Sequence, residues 1–193
     1  MSKIIKALIF DCDGTLADTM PQHWVAWQTV TKRYDLHFPE ERFYSLGGVP
    51  SRDILKMLSI EQNRPLDHIA VSKEKEAAYM PLMPLITRIE EVVAIALANH
   101  GKLPMAVASG GTRHGVNAIL QHLTIHHLFD TIVTSEDVKR QKPAPDIFLE
   151  AARRLGVEPQ FCRGYEDTDL GMTAIRDAGM DAVDVRLMRG TKY

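Results

Sequence analysis

The sequence predicts an α/β fold with a doubly wound, Rossmann-like parallel sheet as its core and an inserted small helical cap domain. Three observations lead to this prediction. The chain opens with an apolar run that ends at Asp11 and Asp13. No strand signal follows from about Asp18 to about Met80. Beyond that point apolar strands alternate with single helices, which is the pattern of parallel βαβ units.

The bulk composition is that of an ordinary soluble protein. Of its 193 residues, 45% are hydrophobic and 25% are charged, and the formal net charge is -2. This weak negative charge and the lack of a basic block argue against nucleic acid as a partner. No apolar run is long enough to span a bilayer. The first apolar run, near the N-terminus, is not followed by a signal-peptide cleavage site. Since Cys12 and Cys162 both lie at strand-like positions, we expect a reduced, cytoplasmic protein. Since no run could span a bilayer, we expect no membrane partner.

The opening strand is the segment around which we expect a functional site. The run from Ile4 to Phe10 is apolar and stops at Asp11-Cys12-Asp13-Gly14. Its length and the glycine turn that ends it favour a buried parallel strand over a piece of helix. Ligands of open α/β sheets bind outside the carboxyl ends of such strands, which places these acids at the mouth of a crevice. A hard cation would relieve the repulsion between them, although Asp and Gly are also common in plain surface turns.

The segment after this strand is expected to be helical throughout. Apolar residues recur at helical spacing around Trp27 and Val30, and again from Ile54 to Ile60. A third helix with a charged outer face is predicted from Asp67 to Tyr79, before a return rich in proline. We therefore predict two domains, an α/β core of residues 1–16 and 85–193 and a helical cap of residues 17–84.

The rest of the chain alternates helices and strands. Thr87-Arg88-Ile89-Glu90 fits a capping box, so a helix is predicted from Thr87 to Asn99. The further strands are predicted at 103–108, 131–133, 161–165 and 181–185, and the further helices at 115–123, 145–155 and 168–178. Arg163-Gly164 interrupts one of these strands, where glycine weakens the strand and a buried arginine needs a partner.

Polar residues recur at the predicted carboxyl ends of these strands. Ser109 precedes two glycines whose free N–H groups suit a phosphate, although serine is equally at home as a helix N-cap. Lys142 is held extended by the proline that follows it. Glu166-Asp167 repeats the acids of the first strand end. Each cluster alone is more often structural, but four strand ends of one sheet that carry such groups indicate one shared site.

In their order and setting these motifs resemble those of the haloacid dehalogenase-like (HAD) hydrolase superfamily, and the resemblance runs from end to end of the chain. The insertion after the first strand is similar to the small helical cap of the β-phosphoglucomutase-like subgroup. Within that subgroup, the length and the segment from Ala178 to Leu187 look most like bacterial fructose-1-phosphate phosphatase-like members. The matching motifs are Asp11-Cys12-Asp13-Gly14-Thr15-Leu16, Ser109, Lys142-Pro143-Ala144-Pro145-Asp146 and Glu166-Asp167-Thr168-Asp169-Leu170-Gly171.

The resemblance implies Mg²⁺-dependent hydrolysis of a small sugar phosphate, such as fructose 1-phosphate, through an aspartyl-phosphate. Asp11 is then the nucleophile, and Asp13 is the acid and base. The implied metal ligands are Asp11, the backbone carbonyl of Asp13, and Asp167, with Glu166 beside them. The implied substrate-binding residues are Ser109, Gly110 and Lys142 for the phosphoryl group, His23 near the hinge, and Arg52 and Lys75 on the cap.

Other functions stay open beside this one. Dehalogenase relatives share the aspartate nucleophile but need no metal and lack the second acid, so Asp13 and Glu166-Asp167 favour a phosphatase. A β-phosphoglucomutase-type phosphohexomutase would use the same residues through a bisphosphate intermediate. A catalytically silent sugar-phosphate-binding module would keep the fold without turnover. In each case we expect a small phosphate ester as the partner, and a monomer.

Overall fold

The computed structural model describes residues 4–189 and divides them into two compact units. One unit contains the described residues up to Asp18 and those from Thr87 onward, and the other spans Thr19–Ile86. The sequence analysis expected these divisions after residues 16 and 84. None of the helices within residues 4–189 is long and apolar enough to cross a membrane.

The secondary structure alternates in the first unit and is helical in the second. The strands are β1 (Ala7–Phe10), β2 (Ala17–Asp18), β3 (Thr87–Arg88), β4 (Met105–Ala108), β5 (Thr131–Val133), β6 (Cys162–Glu166) and β7 (Asp181–Asp184). The helices are α1 (Met20–Arg33), α2 (Glu40–Ser45), α3 (Ser51–Glu61), α4 (His68–Tyr79), α5 (Glu90–Asn99), α6 (Arg113–His122), α7 (Asp146–Leu155), α8 (Asp169–Asp177) and α9 (Arg186–Arg189).

The first unit is organised around β1. Its five-stranded sheet has the order β5-β4-β1-β6-β7, and every neighbouring pair of strands is parallel. The chain runs outward from β1 through β4 to β5, and then returns to build β6 and β7 on the other side. The strand order therefore reverses at β1, and the crevice at such a switch point is where ligands of these folds bind. The predicted α/β core with a doubly wound parallel sheet is confirmed.

Small side chains let two helices pack closely on one face of this sheet. Alanines of β1 and β4 lie against Ile147 and Phe148 of α7 and against Ile175 of α8 in one buried cluster. α7 ends where Gly156 adopts a left-handed conformation, at φ +68°, which is the stop that the sequence predicted.

The interruption of β6 by Arg163 and Gly164 has a packing reason. A Cβ at Gly164 would lie 2.7 Å from Cδ1 of Ile175, so glycine is what allows α8 to lie this close to the strand. The Arg163 side chain is not buried, and its Nε donates to Oδ2 of Asp181 at 2.6 Å. Both residues stay paired with β1 and with β7 in the sheet.

The second unit has a hydrophobic core of its own. Trp27 and Val30 of α1 pack in one cluster with Leu55 and Leu58 of α3, and α4 packs against both helices. The helical pattern predicted for this segment is confirmed. Ile60, which the sequence placed in the second apolar stripe, is instead 71% exposed at the end of α3.

One local prediction was wrong, and one short helix was missed. Thr87 does not cap a helix, because Thr87–Arg88 form β3, which pairs antiparallel with Ala17–Asp18 of β2. α5 begins after Ile89, without a side-chain cap. The short helix α2 was not predicted, because six residues show too little of a helical period. At Thr87 the structure depends on a partner strand that lies far away in the sequence.

Candidate active site

Two predicted site residues of the core, Asp11 and Ser109, lie just beyond the carboxyl ends of neighbouring strands. Asp11 follows β1, and its backbone N–H donates to the Tyr165 carbonyl of β6 at 3.0 Å. Ser109 follows β4, and its N–H donates to the Val133 carbonyl of β5 at 3.0 Å. These bonds continue the sheet pairing past each strand and hold both side chains at its rim.

Lys142 connects two of the acids in this rim. Its Nζ lies 2.6 Å from Oδ1 of Asp11 and 2.8 Å from Oε2 of Glu166. The three side chains are 8%, 8% and 1% exposed, so water screens these contacts weakly. The structure thus brings together Asp11 and Lys142, which lie 131 positions apart in the sequence, and adds Glu166, which lies a further 24 positions on. We call Asp11, Lys142 and Glu166 the ionic chain.

Two threonines that sequence reasoning did not select orient Glu166, the last residue of β6, and Asp167, which follows it. The Thr15 hydroxyl donates to Oδ1 of Asp167 at 2.9 Å. The Thr168 hydroxyl donates to Oε1 of Glu166 at 2.5 Å, and the Thr168 N–H donates to the same oxygen at 3.0 Å. Both threonines lie inside the matching motifs, but a hydroxyl at a strand end is too common to mark a functional residue.

Two glycines make room for these acids. Gly14 has φ +84°, and a Cβ there would lie 2.1 Å from Oδ2 of Asp167. A Cβ at Gly171, in the first turn of α8, would lie 2.0 Å from Cδ of Glu166. Because such distances are far inside van der Waals contact, larger residues at either position would displace the carboxylates.

Three carboxylates could hold a cation. Oxygen atoms of Asp11, Glu166 and Asp167 lie within 4.8 Å of one another. Among residues 4–189, no other three His, Cys, Asp or Glu side chains bring ligand atoms this close together. Asp13 does not contribute its side chain to this group, and a bond from its backbone carbonyl stays a prediction.

The electrostatics of the group fit a hard divalent ion. Burial, and after it the Glu166 carboxylate, raise the pKa of Asp11 well above its ordinary value and that of Asp167 to about 7. Burial would lower the pKa of Lys142, but the carboxylates of Asp11 and Glu166 hold it above its ordinary value. One ammonium therefore faces three carboxylates, and a cation that prefers oxygen ligands would supply the missing positive charge.

The loop after β4 lies close to Asp13, the second acid of the motif that begins at Asp11. The buried Ser109 hydroxyl accepts from the Gly111 N–H at 3.0 Å. A Cβ at Gly111 would lie 3.3 Å from Oγ of Ser109 and 3.8 Å from Oδ2 of Asp13. Gly110 is exposed, and space for a side chain on it is open. The loop thus has open space at Gly110, whereas Gly111 is packed closely against Ser109 and Val116.

Ser135 and Gln141, which sequence reasoning also missed, connect this loop to that of Lys142. The Ser135 N–H and hydroxyl both donate to the Gly111 carbonyl, at 3.1 and 2.9 Å. The Gln141 amide donates to the Ser135 carbonyl at 3.0 Å. No periodic pattern or motif in the sequence signals this connection.

The predicted cap residues lie in the second unit, where two of the three are in contact. Lys75 is buried, and its Nζ lies 2.8 Å from Nδ1 of His23 and 3.0 Å from Oε1 of Glu76. The His23 ring stacks on Tyr79 with centroids 4.0 Å apart. Arg52 is exposed on α3, and its Nε lies 3.7 Å from Oδ1 of Asp53. The contacts of these residues with a substrate stay predictions.

The raised pKa of Asp167 predicts how the metal-free protein responds to pH. Since this pKa is about 7 in the folded protein and near 3.8 ordinarily, the folded state holds a proton that the unfolded chain releases between these values. Stability must then fall as pH rises through this window. We expect the thermal midpoint of metal-free Asp167→Asn to decline less from pH 5 to pH 8 than that of the wild type.

A matched control for this prediction is Asp169→Asn. Asp169 lies two residues further on, and its side chain is 89% exposed. Its replacement should leave the difference between the midpoints at the two pH values unchanged. Parallel pH profiles for Asp167→Asn and the wild type would contradict the expectation.

Comparisons with known proteins agree with this geometry. The model of the haloacid dehalogenase-like hydrolase family matches residues 8–185. Fructose-1-phosphate phosphatase YqaB of Escherichia coli K12 is 40% identical over 181 residues, which are 94% of this chain and 96% of that protein. β-Phosphoglucomutase of Bacillus subtilis is 30% identical over 188 residues, which cover 94% of this chain and 83% of that protein. The crystal structure of β-phosphoglucomutase from Clostridium difficile superposes with a TM-score of 0.84 at 28% identity, covering 94% and 84%.

Proposed function

Because this chain belongs to the haloacid dehalogenase-like hydrolase family, we propose that it is a phosphatase that hydrolyses a small sugar phosphate of the fructose 1-phosphate kind. The observation that supports this most is the buried contact between Lys142 and Asp11 at the switch point of the sheet. It holds an anionic nucleophile beside a cation, which an attack on an anionic phosphate requires. The fructose-1-phosphate phosphatase among its relatives supports this class of substrate.

In the first step, the Asp11 carboxylate attacks phosphorus and forms an aspartyl-phosphate. As the bond from phosphorus to the sugar oxygen breaks, Asp13 gives that alkoxide its proton. Lys142 offsets the charge that gathers between Asp11 and the phosphoryl group, and the Ser109 hydroxyl and Gly110 N–H hold phosphoryl oxygens.

In the second step, water replaces the aspartate. Asp13, now ionised, takes a proton from the water as its oxygen attacks phosphorus, and the bond from phosphorus to Asp11 breaks. Inorganic phosphate leaves, and both carboxyl groups return to their starting states.

Mg²⁺ fits the acidic group and would neutralise phosphate and carboxylate charge when bound. We propose Asp11, Asp167 and the backbone carbonyl of Asp13 as its ligands, with Glu166 beside them. The fit rests on the close oxygen atoms of Asp11, Glu166 and Asp167 and on their shortage of positive charge.

A phosphate-release panel tests the proposed function. The purified protein is incubated with hexose and pentose phosphates, with Mg²⁺ or with a chelator, and inorganic phosphate is measured. We expect release with Mg²⁺, fastest with fructose 1-phosphate or a similar ester, and its loss with the chelator. Tight binding of a sugar phosphate without any turnover would instead indicate a binding module.

A phosphohexomutase is the second candidate, and the β-phosphoglucomutase relatives favour it. A mutase must keep a bisphosphate intermediate in its site while that intermediate turns around. Supplied with β-glucose 1-phosphate and glucose 1,6-bisphosphate, a mutase would yield glucose 6-phosphate with little free phosphate. We expect more inorganic phosphate than glucose 6-phosphate. If glucose 6-phosphate is instead the main product, the protein is a mutase and not a phosphatase.

Arg52 on the cap is predicted to bind substrate rather than to take part in the chemistry. We expect Arg52→Ala to raise KM by about tenfold and to change kcat by less than about twofold. The reason is that Arg52 would bind the substrate and the transition state equally well, so its loss weakens binding without slowing the bound substrate. Lys56→Ala is the matched control, since Lys56 is an exposed base on the same helix. Steady-state kinetics measure both, and an unchanged KM in Arg52→Ala would remove Arg52 from the site.

We further propose that the protein acts in the cytoplasm as a monomer with a small-molecule partner alone. Its two cysteines, Cys12 and Cys162, are free and buried, which suits a reducing compartment. Size-exclusion chromatography with light scattering tests the monomer, and a dimer mass would contradict it.

A further inference from the structure

We propose that Thr168 is a positioning residue that aligns the ionic chain of Asp11, Lys142 and Glu166 through its hydroxyl contact with Glu166. This inference rests on the proposed function, because it concerns the same site. It assigns a task to a side chain that takes no part in either chemical step.

The hydrogen bonds of Thr168 leave one direction for its hydroxyl proton. The Gly171 N–H donates to the Thr168 oxygen at 3.1 Å, so this oxygen is an acceptor there. Oε1 of Glu166 lies 2.5 Å from the same oxygen. A carboxylate can only accept, so the hydroxyl donates to Glu166. A directed sequence of hydrogen bonds therefore runs from the first turn of α8 to the acid.

This donor sets the orientation of the Glu166 carboxylate. With Oε1 held by the N–H and hydroxyl of Thr168, the other oxygen, Oε2, points to Lys142 at 2.8 Å. Lys142 in turn reaches Asp11 at 2.6 Å. Glu166 is 1% exposed, so water is poorly placed to replace a lost donor. Loss of the hydroxyl should let the carboxylate rotate and carry Lys142 away from Asp11.

Thr168 also caps α8, and Thr112 allows the two tasks to be separated. Thr112 caps α6 in the same way, and its side chain accepts from the Gly115 N–H at 3.2 Å. In both helices the glycine is the third residue after the threonine. α6 carries no member of the ionic chain, so replacing Thr112 removes a comparable cap without changing Glu166.

The experiment compares Thr168→Val, Thr168→Ser and Thr112→Val with the wild type. Calorimetric titration of the metal-free proteins with MgCl₂ gives the Mg²⁺ affinity without turnover, and kinetics with fructose 1-phosphate give kcat and KM. For Thr168→Val we expect Mg²⁺ affinity and kcat each to fall by about tenfold, within the range found for residues that orient metal ligands. KM should change by less than about twofold, and Thr168→Ser should restore every value.

Thr112→Val should lower the thermal midpoint less than Thr168→Val, because it removes a cap alone and leaves Glu166 its donor, while its Mg²⁺ affinity and kcat stay within about twofold of the wild type. The inference would be overturned if Thr168→Val and Thr168→Ser had the same Mg²⁺ affinity and kcat. It would also be overturned if Thr112→Val lost as much Mg²⁺ affinity and kcat as Thr168→Val. Thr168→Ala replaces Thr168→Val if the latter does not fold. If the wild type releases no phosphate, the proposed function fails, but the Mg²⁺ titrations still decide the part of Thr168.

Discussion

Asp11→Asn is expected to reduce phosphate release by about three orders of magnitude or more, since the amide nitrogen and oxygen are poor nucleophiles. The fold should be at least as stable as the wild type. The raised pKa of Asp11 means that its charged form opposes folding at neutral pH, and the neutral amide removes this cost. Lys142 also contacts Glu166, so its ammonium should keep one buried carboxylate partner in the variant.

Two measurements check this expectation. Phosphate release with Mg²⁺ reports the loss of activity, and thermal unfolding without metal reports the stability. Asp177→Asn serves as a control, because Asp177 is an exposed acid at the end of α8 and should leave both values unchanged. Substantial turnover in Asp11→Asn would exclude the aspartyl-phosphate, and a much lower thermal midpoint would show that Asp11 serves mainly to hold the fold together.

Lys142→Met is expected to abolish activity to a similar degree but to have the opposite effect on stability. Methionine keeps much of the side-chain length without the charge, so Asp11 and Glu166 would remain buried without their shared cation. Removing one partner of a buried ion pair costs about 3 to 5 kcal/mol. Since the pKa of Asp11 is already raised, acidification toward pH 5 should protonate the carboxyl and restore part of the lost stability.

Chemical denaturation at pH 5 and at pH 7.5 measures this effect. The control is Lys139→Met, because Lys139 is exposed in the same loop and its loss should be neutral at both pH values. If Lys142→Met were as stable as the wild type at pH 7.5, the contacts of Lys142 with Asp11 and Glu166 would not contribute to the folded state. Opposite stability effects of Asp11→Asn and Lys142→Met would show that the site carries too much negative charge, which one lysine offsets only in part.

Much of the core fold follows from patterns that lie close together in the sequence. The run before Asp11 and the stops at Gly156 and Gly179 depend on a residue and its near neighbours, and the elements beside them were predicted within a few residues. The strand ends also place Asp11, Ser109 and Glu166 at one rim, because parallel strands end on the same side of a sheet. The position of the candidate site was therefore predictable.

Other features depended on distant partners and could not be predicted. The pattern at Thr87 fits a capping box, but pairing with Asp18 draws that backbone into β3. Gly164 interrupts the pattern of a strand, and its reason appears only where Ile175 packs against it. The contact of the buried Lys75 with His23 joins two helices that lie 52 positions apart in the sequence, and no local pattern signals it. In each case the deciding contact joins residues from separate elements.

The order of strands and helices can be deduced from the chain alone, because propensity, periodicity and motif spacing act over a few neighbouring residues. The expected class of chemistry and the acids proposed for it came from the resemblance of the motifs to a known family. The partner of each acid was decided by folding. Lys142 reaches Asp11 across 131 positions, and Thr15 reaches Asp167 across 152. Hydrogen bonds and ion pairs act over a few ångströms in space, whatever the separation along the chain, so such contacts exist only once the sheet has brought its strand ends together.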